Sequence, residues 1–166
     1  MRLYRCTIGT LTLALALTAG CVSKPAPQPR IAFPVAEYNA LPKEGTGVVE
    51  GQAFMKTVGG DVKFGAGSEV TLNPITSYSE QWYRHYYELR SPLQAADTRQ
   101  DSYILTTQAD GSGNFKFTDV PPGRYFVTST VRWQAPSQFG LTNQGGWLTN
   151  RITVSNGKTT RVMLTR

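Results

Sequence analysis

From Val48 onward, apolar and polar residues alternate with a period of two, which is the spacing of a half-buried β-strand. The alternation recurs in short runs whose apolar members are Val49, Gly51, Ala53 and Met55; Val70 and Leu72; Phe115 and Phe117; Tyr125, Val127 and Val131; Ile152 and Val154; and Val162 and Leu164. Each run offers one face to a core and the other to water. The chain is therefore predicted to form an all-β domain.

Segments rich in glycine and proline separate these runs and predict turns. They are Asp110–Gly113, Pro121–Gly123 and the pair Asn156-Gly157. An Asn-Gly pair is typical of a two-residue β-hairpin, because both central residues of such a turn take positive φ. Short strands, turns of this kind and the lack of a second helical pattern together favour an antiparallel β-sandwich.

Residues 77–89 depart from the alternation. Tyr78, Trp82, Tyr86 and Leu89 recur there at helical spacing, which predicts a short amphipathic helix inserted between two strands. Two interpretations of this helix are open. It covers an open edge or end of the sandwich, or its aromatic side chains form a binding surface.

The segment before the strands is rich in proline. Residues 22–46 hold five of the chain's ten prolines, each of which fixes φ and lacks a backbone donor. The segment is therefore predicted to be an extended, semi-rigid tether. Ile31, Phe33, Val35 and Tyr38 interrupt the proline pattern, and we expect them to dock on the chain's own domain.

The first 21 residues resemble the signal of a bacterial lipoprotein. Arg2 and Arg5 precede an apolar run over residues 7–17, which is too short for an ordinary transmembrane span, and small residues lead to Cys21. The resemblance implies that a signal helix over residues 1–20 is removed and that Cys21 receives the lipid. No aspartate follows the cysteine, which implies the outer membrane. An ordinary signal peptide with a chance cysteine is the alternative.

Residues 107–127 resemble the signature of carboxypeptidase regulatory-like domains, which are transthyretin-like (prealbumin-like) sandwiches. The elements of that signature are a glycine-marked turn at Gly111 and Gly113, Phe115-Lys116-Phe117, Val120-Pro121-Pro122-Gly123, and Tyr125-Phe126-Val127. The segments 47–51 and 65–72 match the family's opening strands. The resemblance implies a sandwich of about seven strands over residues 47–166, interrupted by an insertion at 75–102. It implies an accessory or spacer module without catalytic residues.

Few residues point to catalysis or to a metal. His85 is the single histidine, so the histidine-rich site of hydroxyisourate hydrolases and the iron site of intradiol dioxygenases, both on related sandwiches, have no counterpart within one subunit. Cys6 leaves with the signal and Cys21 carries the lipid, which excludes a disulfide and a cysteine-rich metal site. Asp110–Asn114 lacks the glutamate of a calcium loop. We expect no enzymatic activity, metal or cofactor.

The formal net charge of +6 comes from scattered basic residues rather than from a run. A nucleic-acid-binding protein more often concentrates its positive charge in a patch or stripe. The composition therefore does not favour nucleic acid as a partner.

Aromatic side chains remain as the candidates for binding. They are Tyr78, Trp82, Tyr83, Tyr86, Tyr87, Trp133, Phe139 and Trp147, the last three in or beside a predicted loop at residues 135–146. We expect a non-catalytic, lipid-anchored protein of the cell envelope that binds or scaffolds a protein partner at the outer membrane or cell surface. The alternative is binding of carbohydrate or peptidoglycan through aromatic stacking. A core role for Trp133 and Trp147 is the competing interpretation.

Overall fold

A computed structural model describes residues 25–166 of the chain. Within that range, eight strands form two sheets that pack face to face as a β-sandwich, with a short helical insertion. The predicted all-β sandwich with an inserted helix is confirmed. The strands number eight rather than about seven, and one of them has only three residues. The predicted signal segment, residues 1–20, and the predicted lipidation residue Cys21 lie outside the described residues.

The first sheet is built around β1 (Gly47–Lys56). Along its first half, β1 pairs antiparallel with β5 (Asn114–Val120) and parallel with β8 (Thr159–Leu164). Along its second half it pairs antiparallel with β2 (Val62–Phe64). The β1–β8 pair is the one departure from the predicted antiparallel pairing among the described strands.

The second sheet has the antiparallel order β4-β3-β6-β7. Its strands are β3 (Glu69–Pro74), β4 (Leu105–Gln108), β6 (Gly123–Ser137) and β7 (Gly140–Val154). The strands β6 and β7 form a hairpin of 15 residues on each side, paired from Gly123–Val154 to Ser137–Gly140. This long hairpin dominates the second sheet.

The prediction of a loop at residues 135–146 is wrong, because these residues belong to the β6–β7 hairpin and its turn. Pro136 lies in β6 beyond the residues that pair with β3, and proline is tolerated where one edge of a strand is not needed for pairing. Gly140, Gly145 and Gly146 take positive φ within the hairpin rather than ending it. Residues that commonly break strands therefore serve here to shape one.

The core lies between the two sheets and follows the predicted alternation. Its buried members include Val49, Ala53, Met55, Val70, Leu72, Phe115, Phe117, Tyr125, Val127, Val131, Val154, Val162 and Leu164. Removal of these apolar side chains from water is the main force that stabilises such a domain.

The turn at Asn156-Gly157 joins β7 to β8, but these strands belong to different sheets, so the predicted hairpin is wrong. Gly157 has φ of 65°, whereas Asn156 does not take the positive φ that a two-residue hairpin of this type requires. Asn156 Oδ1 accepts a hydrogen bond from the Thr46 backbone N–H at 3.0 Å, and the Gly157 N–H donates to the Thr46 hydroxyl at 3.0 Å. These bonds hold the turn beside the start of β1, so β8 runs parallel to it.

The insertion between β3 and β4 begins with α2 (Ser77–Tyr83), continues as a π-helical turn over Arg84–Glu88, and ends in a 3-10 helix over Thr98–Tyr103. A capping box starts α2: the Ser79 N–H donates to the Thr76 hydroxyl at 3.2 Å, and the Thr76 N–H donates to the Ser79 hydroxyl at 2.9 Å. No helix within residues 25–166 has the length and apolar character needed to cross a membrane.

The residues before β1 contact the insertion. They include the short helix α1 (Val35–Asn39), in which Tyr38 is fully buried and accepts a hydrogen bond from the Thr76 hydroxyl at 3.2 Å. The Phe33 ring meets the Tyr78 ring of the insertion edge-on at 5.5 Å. Ile31 and Val35 remain exposed. Two of the four apolar residues expected to dock on the domain therefore do so.

Candidate functional site

The most distinctive surface is the outer face of the β6–β7 hairpin, which is the side turned away from the core. Tyr125 and Val127 point into the core, so Phe126 between them points outward, yet its side chain is fully buried. Phe126 lies opposite Arg151 in the hairpin, Thr128 lies opposite Thr149, and Thr130 lies opposite Trp147. Something must therefore cover this face.

The helical insertion covers it with aromatic side chains. The Tyr83 ring lies parallel to Phe126 at 4.9 Å between centroids, and Trp82 meets the same ring edge-on at 6.0 Å. Tyr87 stacks on Tyr83 at 5.2 Å. The insertion thus covers the outer face of the second sheet, and the interpretation that it covers an edge or end of the sandwich is wrong. Offset-stacked and edge-to-face pairs of this kind are favourable beyond their buried area.

An arginine from β7 joins the helix to the sheet. Arg151 donates two hydrogen bonds to the Glu80 carboxylate, at 2.6 and 2.9 Å, and its guanidinium lies 4.5 Å from the centre of the Tyr83 ring. Burial acts to lower the pKa of Arg151, but the hydrogen bonds and charge of Glu80 outweigh it, so the pKa is raised. Such a bidentate pair fixes orientation as well as charge.

Tyr87 makes a second connection to the sheet. Its hydroxyl accepts a hydrogen bond from the Thr149 hydroxyl, which also lies 3.2 Å from the Thr128 hydroxyl. Burial raises the pKa of Tyr87, and the bond to Thr149 offsets part of that rise. The tyrosine is therefore held in its neutral form against β7.

Beside these packed rings the insertion leaves a cavity of about 440 Å³, which we call the aromatic cleft. Its lining residues are Tyr86, Tyr87, Arg90, Ser91, Pro92, Gly145, Gly146, Trp147 and Arg166. Tyr86 is 41% exposed and Trp147 is 40% exposed, and their rings meet edge-on at 6.1 Å. The cleft thus combines two accessible aromatic rings with two guanidinium groups.

Two consecutive glycines keep one wall of the aromatic cleft free of side chains. Gly145 has φ of 93°, and a Cβ there would lie 2.0 Å from the Val131 carbonyl oxygen. Gly146 has φ of 155°, and a Cβ there would lie 3.4 Å from Arg166 Nη2. Only glycine fits the first position, and at the second the positive φ disfavours any residue with a side chain.

The predicted binding residues fall into two groups. Those brought together on the outer face of the β6–β7 hairpin are Trp82, Tyr83, Tyr86, Tyr87 and Trp147. Tyr78 is buried, and its hydroxyl accepts a hydrogen bond from the Asp97 N–H at 2.8 Å. Trp133 packs against the core, and Phe139 lies in the turn of the hairpin, 89% exposed. The competing core role therefore holds for Trp133 but not for Trp147.

Sequence reasoning missed the polar half of the aromatic cleft, namely Arg90, Ser91 and Arg166. Arg90 and Ser91 follow the last residue of the helical pattern, Leu89, and precede Pro92. A helix usually ends at such a position, so its last side chains can reach a neighbouring surface. The adjacent glycines before Trp147 were a second signal, because paired glycines inside a strand mark close approach of another group. No feature of the sequence pointed to Arg166.

A second concave surface lies on the first sheet and measures about 910 Å³. Its polar side chains largely bind one another: Arg161 donates to Glu50 at 2.8 Å, and Asn114 donates to Asp110 at 3.0 Å. The bond from the Asn114 side chain is the leading cause of a lowered pKa at Asp110. Among the described residues that line this polar groove, the one aromatic side chain, Phe115, is buried. The polar groove is larger than the aromatic cleft but has no exposed ring.

His85 contacts Ser91, with 2.8 Å between Nδ1 and the hydroxyl oxygen. A catalytic triad adds a third group that orients the imidazole. Among residues 25–166, no carboxylate forms a hydrogen bond with His85. The same part of the chain holds no group of three or more His, Cys, Asp or Glu side chains suited to a metal ion.

The comparison with solved structures finds a likeness to a crystal structure described as a "putative carbohydrate binding protein (PA1324)" from Pseudomonas aeruginosa. The two chains are 29% identical and superpose with a TM-score of 0.75, over 82% of this chain and 99% of the other. No protein-family model and no curated protein matches the chain. The likeness supports the sandwich and favours the carbohydrate alternative over the expected protein partner.

Proposed function

We propose that this protein binds carbohydrate of the bacterial cell envelope in the aromatic cleft and does not transform it. The observation that carries the proposal is the pair of accessible rings, Tyr86 and Trp147, which meet at an interplanar angle of 85° beside the cavity. The likeness to a protein described as carbohydrate-binding supports the same function.

The chemistry of the aromatic cleft suits a sugar ring. A pyranose has a face of C–H groups that packs on an aromatic ring, and a rim of hydroxyls that need hydrogen-bond partners. Tyr86 and Trp147 offer the rings. Arg90 offers donors, and the Ser91 hydroxyl, which also contacts His85, keeps an acceptor site.

A scaffold for a protein partner was the first expectation from the sequence, and its main support was the aromatic insertion. Much of that insertion is occupied in the domain itself, since Tyr83 packs on Phe126 and Tyr87 bonds to Thr149. Fewer of its rings are therefore available to a partner. We rank the protein partner second for this reason.

Titration calorimetry of the full-length protein in detergent, against a panel of neutral and acidic oligosaccharides and peptidoglycan fragments, tests the proposal. Trp147→Ala removes one ring of the aromatic cleft and is expected to weaken binding by about tenfold or more, the usual cost of losing a stacking side chain. Phe139→Ala is the matched control, because it removes an exposed ring in the hairpin turn, outside the cleft.

The control variant should bind like the parent protein. Absence of binding to every saccharide in the panel, or equal affinity of Trp147→Ala and the parent, contradicts carbohydrate binding in the aromatic cleft. Conversion of the bound saccharide to a new product, followed by mass spectrometry, contradicts the non-catalytic part of the proposal.

We further propose that the sandwich belongs with carboxypeptidase regulatory-like, transthyretin-like domains, and that lipid on Cys21 holds it at the outer membrane. The signature at residues 107–127 and the sandwich fold support the first part, and the signal pattern supports the second. Labelled palmitate is expected to enter the parent protein and not Cys21→Ala. Equal labelling of both proteins, or of neither, contradicts the anchor.

A further inference from the structure

Two arginines of the aromatic cleft have no aspartate or glutamate partner among the described residues. Arg90 and Arg166 line the cavity, whose lining includes no aspartate or glutamate. Three of the nine arginines in residues 25–166, namely Arg99, Arg151 and Arg161, pair with a carboxylate side chain. Among residues 25–166, neither Arg90 nor Arg166 forms such a pair. Within the described residues, no aspartate or glutamate side chain neutralises these two guanidinium groups of the aromatic cleft.

Arg90 also occupies a strained backbone position. Its φ is 51°, and the Ser91 N–H donates to the His85 carbonyl at 2.9 Å, so Arg90 is the left-handed residue that follows the π-helical turn. Glycine is the usual residue there, because a side chain is disfavoured in this conformation. A side chain kept in this conformation is a reason to test the residue for a function.

Arg166 is held over the glycine wall. Its Nη2 donates to the Gly145 carbonyl at 3.3 Å, and the space above Gly146 is taken up by its guanidinium. A guanidinium carries five N–H donors in a planar fork, so this one bond leaves others for a ligand. Arg166 thus offers donors from one wall of the aromatic cleft while Arg90 offers them from the end of the helical insertion.

We propose that the aromatic cleft selects acidic saccharides, whose sugar rings bear carboxylates, over neutral ones. This inference rests on the proposed carbohydrate binding. The sugar ring packs on Trp147 and Tyr86, while its carboxylate accepts hydrogen bonds from Arg90 and Arg166. Charge-assisted pairs between guanidinium and carboxylate are about twice as strong as neutral hydrogen bonds, which gives the cleft a basis for selection.

The test compares two ligands that differ only in charge. Full-length protein in detergent is titrated with a hexamer of galacturonic acid and with the same hexamer after methyl esterification of its carboxylates. At low salt we expect the acid to bind at least about tenfold more tightly than the ester. The difference should shrink as added salt shortens the screening length to about 3 Å at 1 M.

Single substitutions test which arginines produce the preference for the acidic saccharide. Arg90→Gly is expected to weaken binding of the acid by about tenfold and binding of the ester clearly less, because the ester loses only neutral hydrogen bonds. The melting temperature should stay the same or rise, because glycine suits the left-handed position. Arg166→Gln should weaken the acid similarly. Arg161→Gln removes the same charge from the polar groove on the other sheet and should bind like the parent protein.

Each negative result contradicts a different claim. Equal affinity for acid and ester, or binding of neutral glycans alone, overturns the selection of acidic saccharides and leaves carbohydrate binding standing. Loss of affinity in Arg161→Gln but not in Arg90→Gly overturns the assignment to the aromatic cleft in favour of the polar groove. Absence of binding to any saccharide overturns both this inference and the proposed function.

Discussion

The two outer faces of this sandwich differ in their exposure to water. On the β6–β7 hairpin, the outward Phe126 is fully buried beneath Tyr83 of the helical insertion. On the first sheet, the outward Met163 is 54% exposed and Arg161 reaches Glu50 in the open. One face has become a second, smaller aromatic core, and the other has kept its contact with water.

The difference shows where a small sandwich can place a binding surface. An insertion that packs firmly on the sheet also creates an edge, and the aromatic cleft lies at that edge, between the end of the helical insertion and the glycine wall at Gly145 and Gly146. The rings of Tyr83 and Tyr87 hold the insertion in place, while Tyr86 and Trp147 stay accessible. Rigid support and an exposed site thus come from one segment.

The largest expected effect follows from Phe126. Phe126→Ala removes the ring on which Trp82 and Tyr83 pack, and should lower the free energy of unfolding by about 3–5 kcal/mol, as for a phenylalanine in a core. Met163→Ala on the outer face of the first sheet should change it by less than about 0.5 kcal/mol. Urea unfolding followed by circular dichroism measures both. Similar losses in the two variants would show that the faces do not differ.

A smaller effect is expected for the two arginine pairs. Arg151→Ala loses the bidentate bonds to Glu80 and the contact with Tyr83, and should cost about 1 kcal/mol of unfolding free energy. Arg161→Ala loses one bond to Glu50 from a side chain that is 84% exposed, and should show no measurable change. A double-mutant cycle with Glu80→Gln isolates the first pair. A coupling of zero would remove Arg151 from the contacts that hold the helix.

The smallest effect concerns alkaline pH. Burial raises the pKa of Tyr87 above its ordinary value of 10.0, so the stability it contributes is full below pH 10 and is lost as the pH rises through the folded-state pKa. Burial also raises the pKa of Tyr38 and of Tyr125. Tyr87→Phe should therefore lessen, but not abolish, the loss of stability between pH 9 and 11 in urea unfolding. A parent-like loss in this variant contradicts the role of Tyr87.

Period-two alternation was enough to predict the sandwich core. Val49, Val70, Leu72, Phe115 and Val162 were assigned to the core by their spacing, and each is buried there. Alternation is reliable in such strands because each side chain can occupy only one of two faces. It does not say which strands pair, and so the parallel β1–β8 pair, whose preceding turn is held by hydrogen bonds between Thr46 and Asn156-Gly157, could not be predicted.

The site was harder to predict because two periods compete in the insertion. Helical spacing placed Tyr78, Trp82, Tyr86 and Leu89 on one face of a regular α-helix. The π-helical turn at Arg84–Glu88 contains about one residue more per turn, so the residues after it point in a different direction from the one predicted. Leu89 and Tyr86 therefore stay exposed. The missed signal was Phe126, since a large ring at an outward strand position indicates that something covers it.

The pairing of β1 with β8 has a consequence for how the polypeptide acquires its shape. Glu50 and Arg161, which meet across these neighbouring strands, are 111 positions apart in the chain. Until β8 is in place, the edge of β1 that pairs with it lacks its partner. Contacts of such long range slow folding, so the native topology forms only when nearly the whole domain is present.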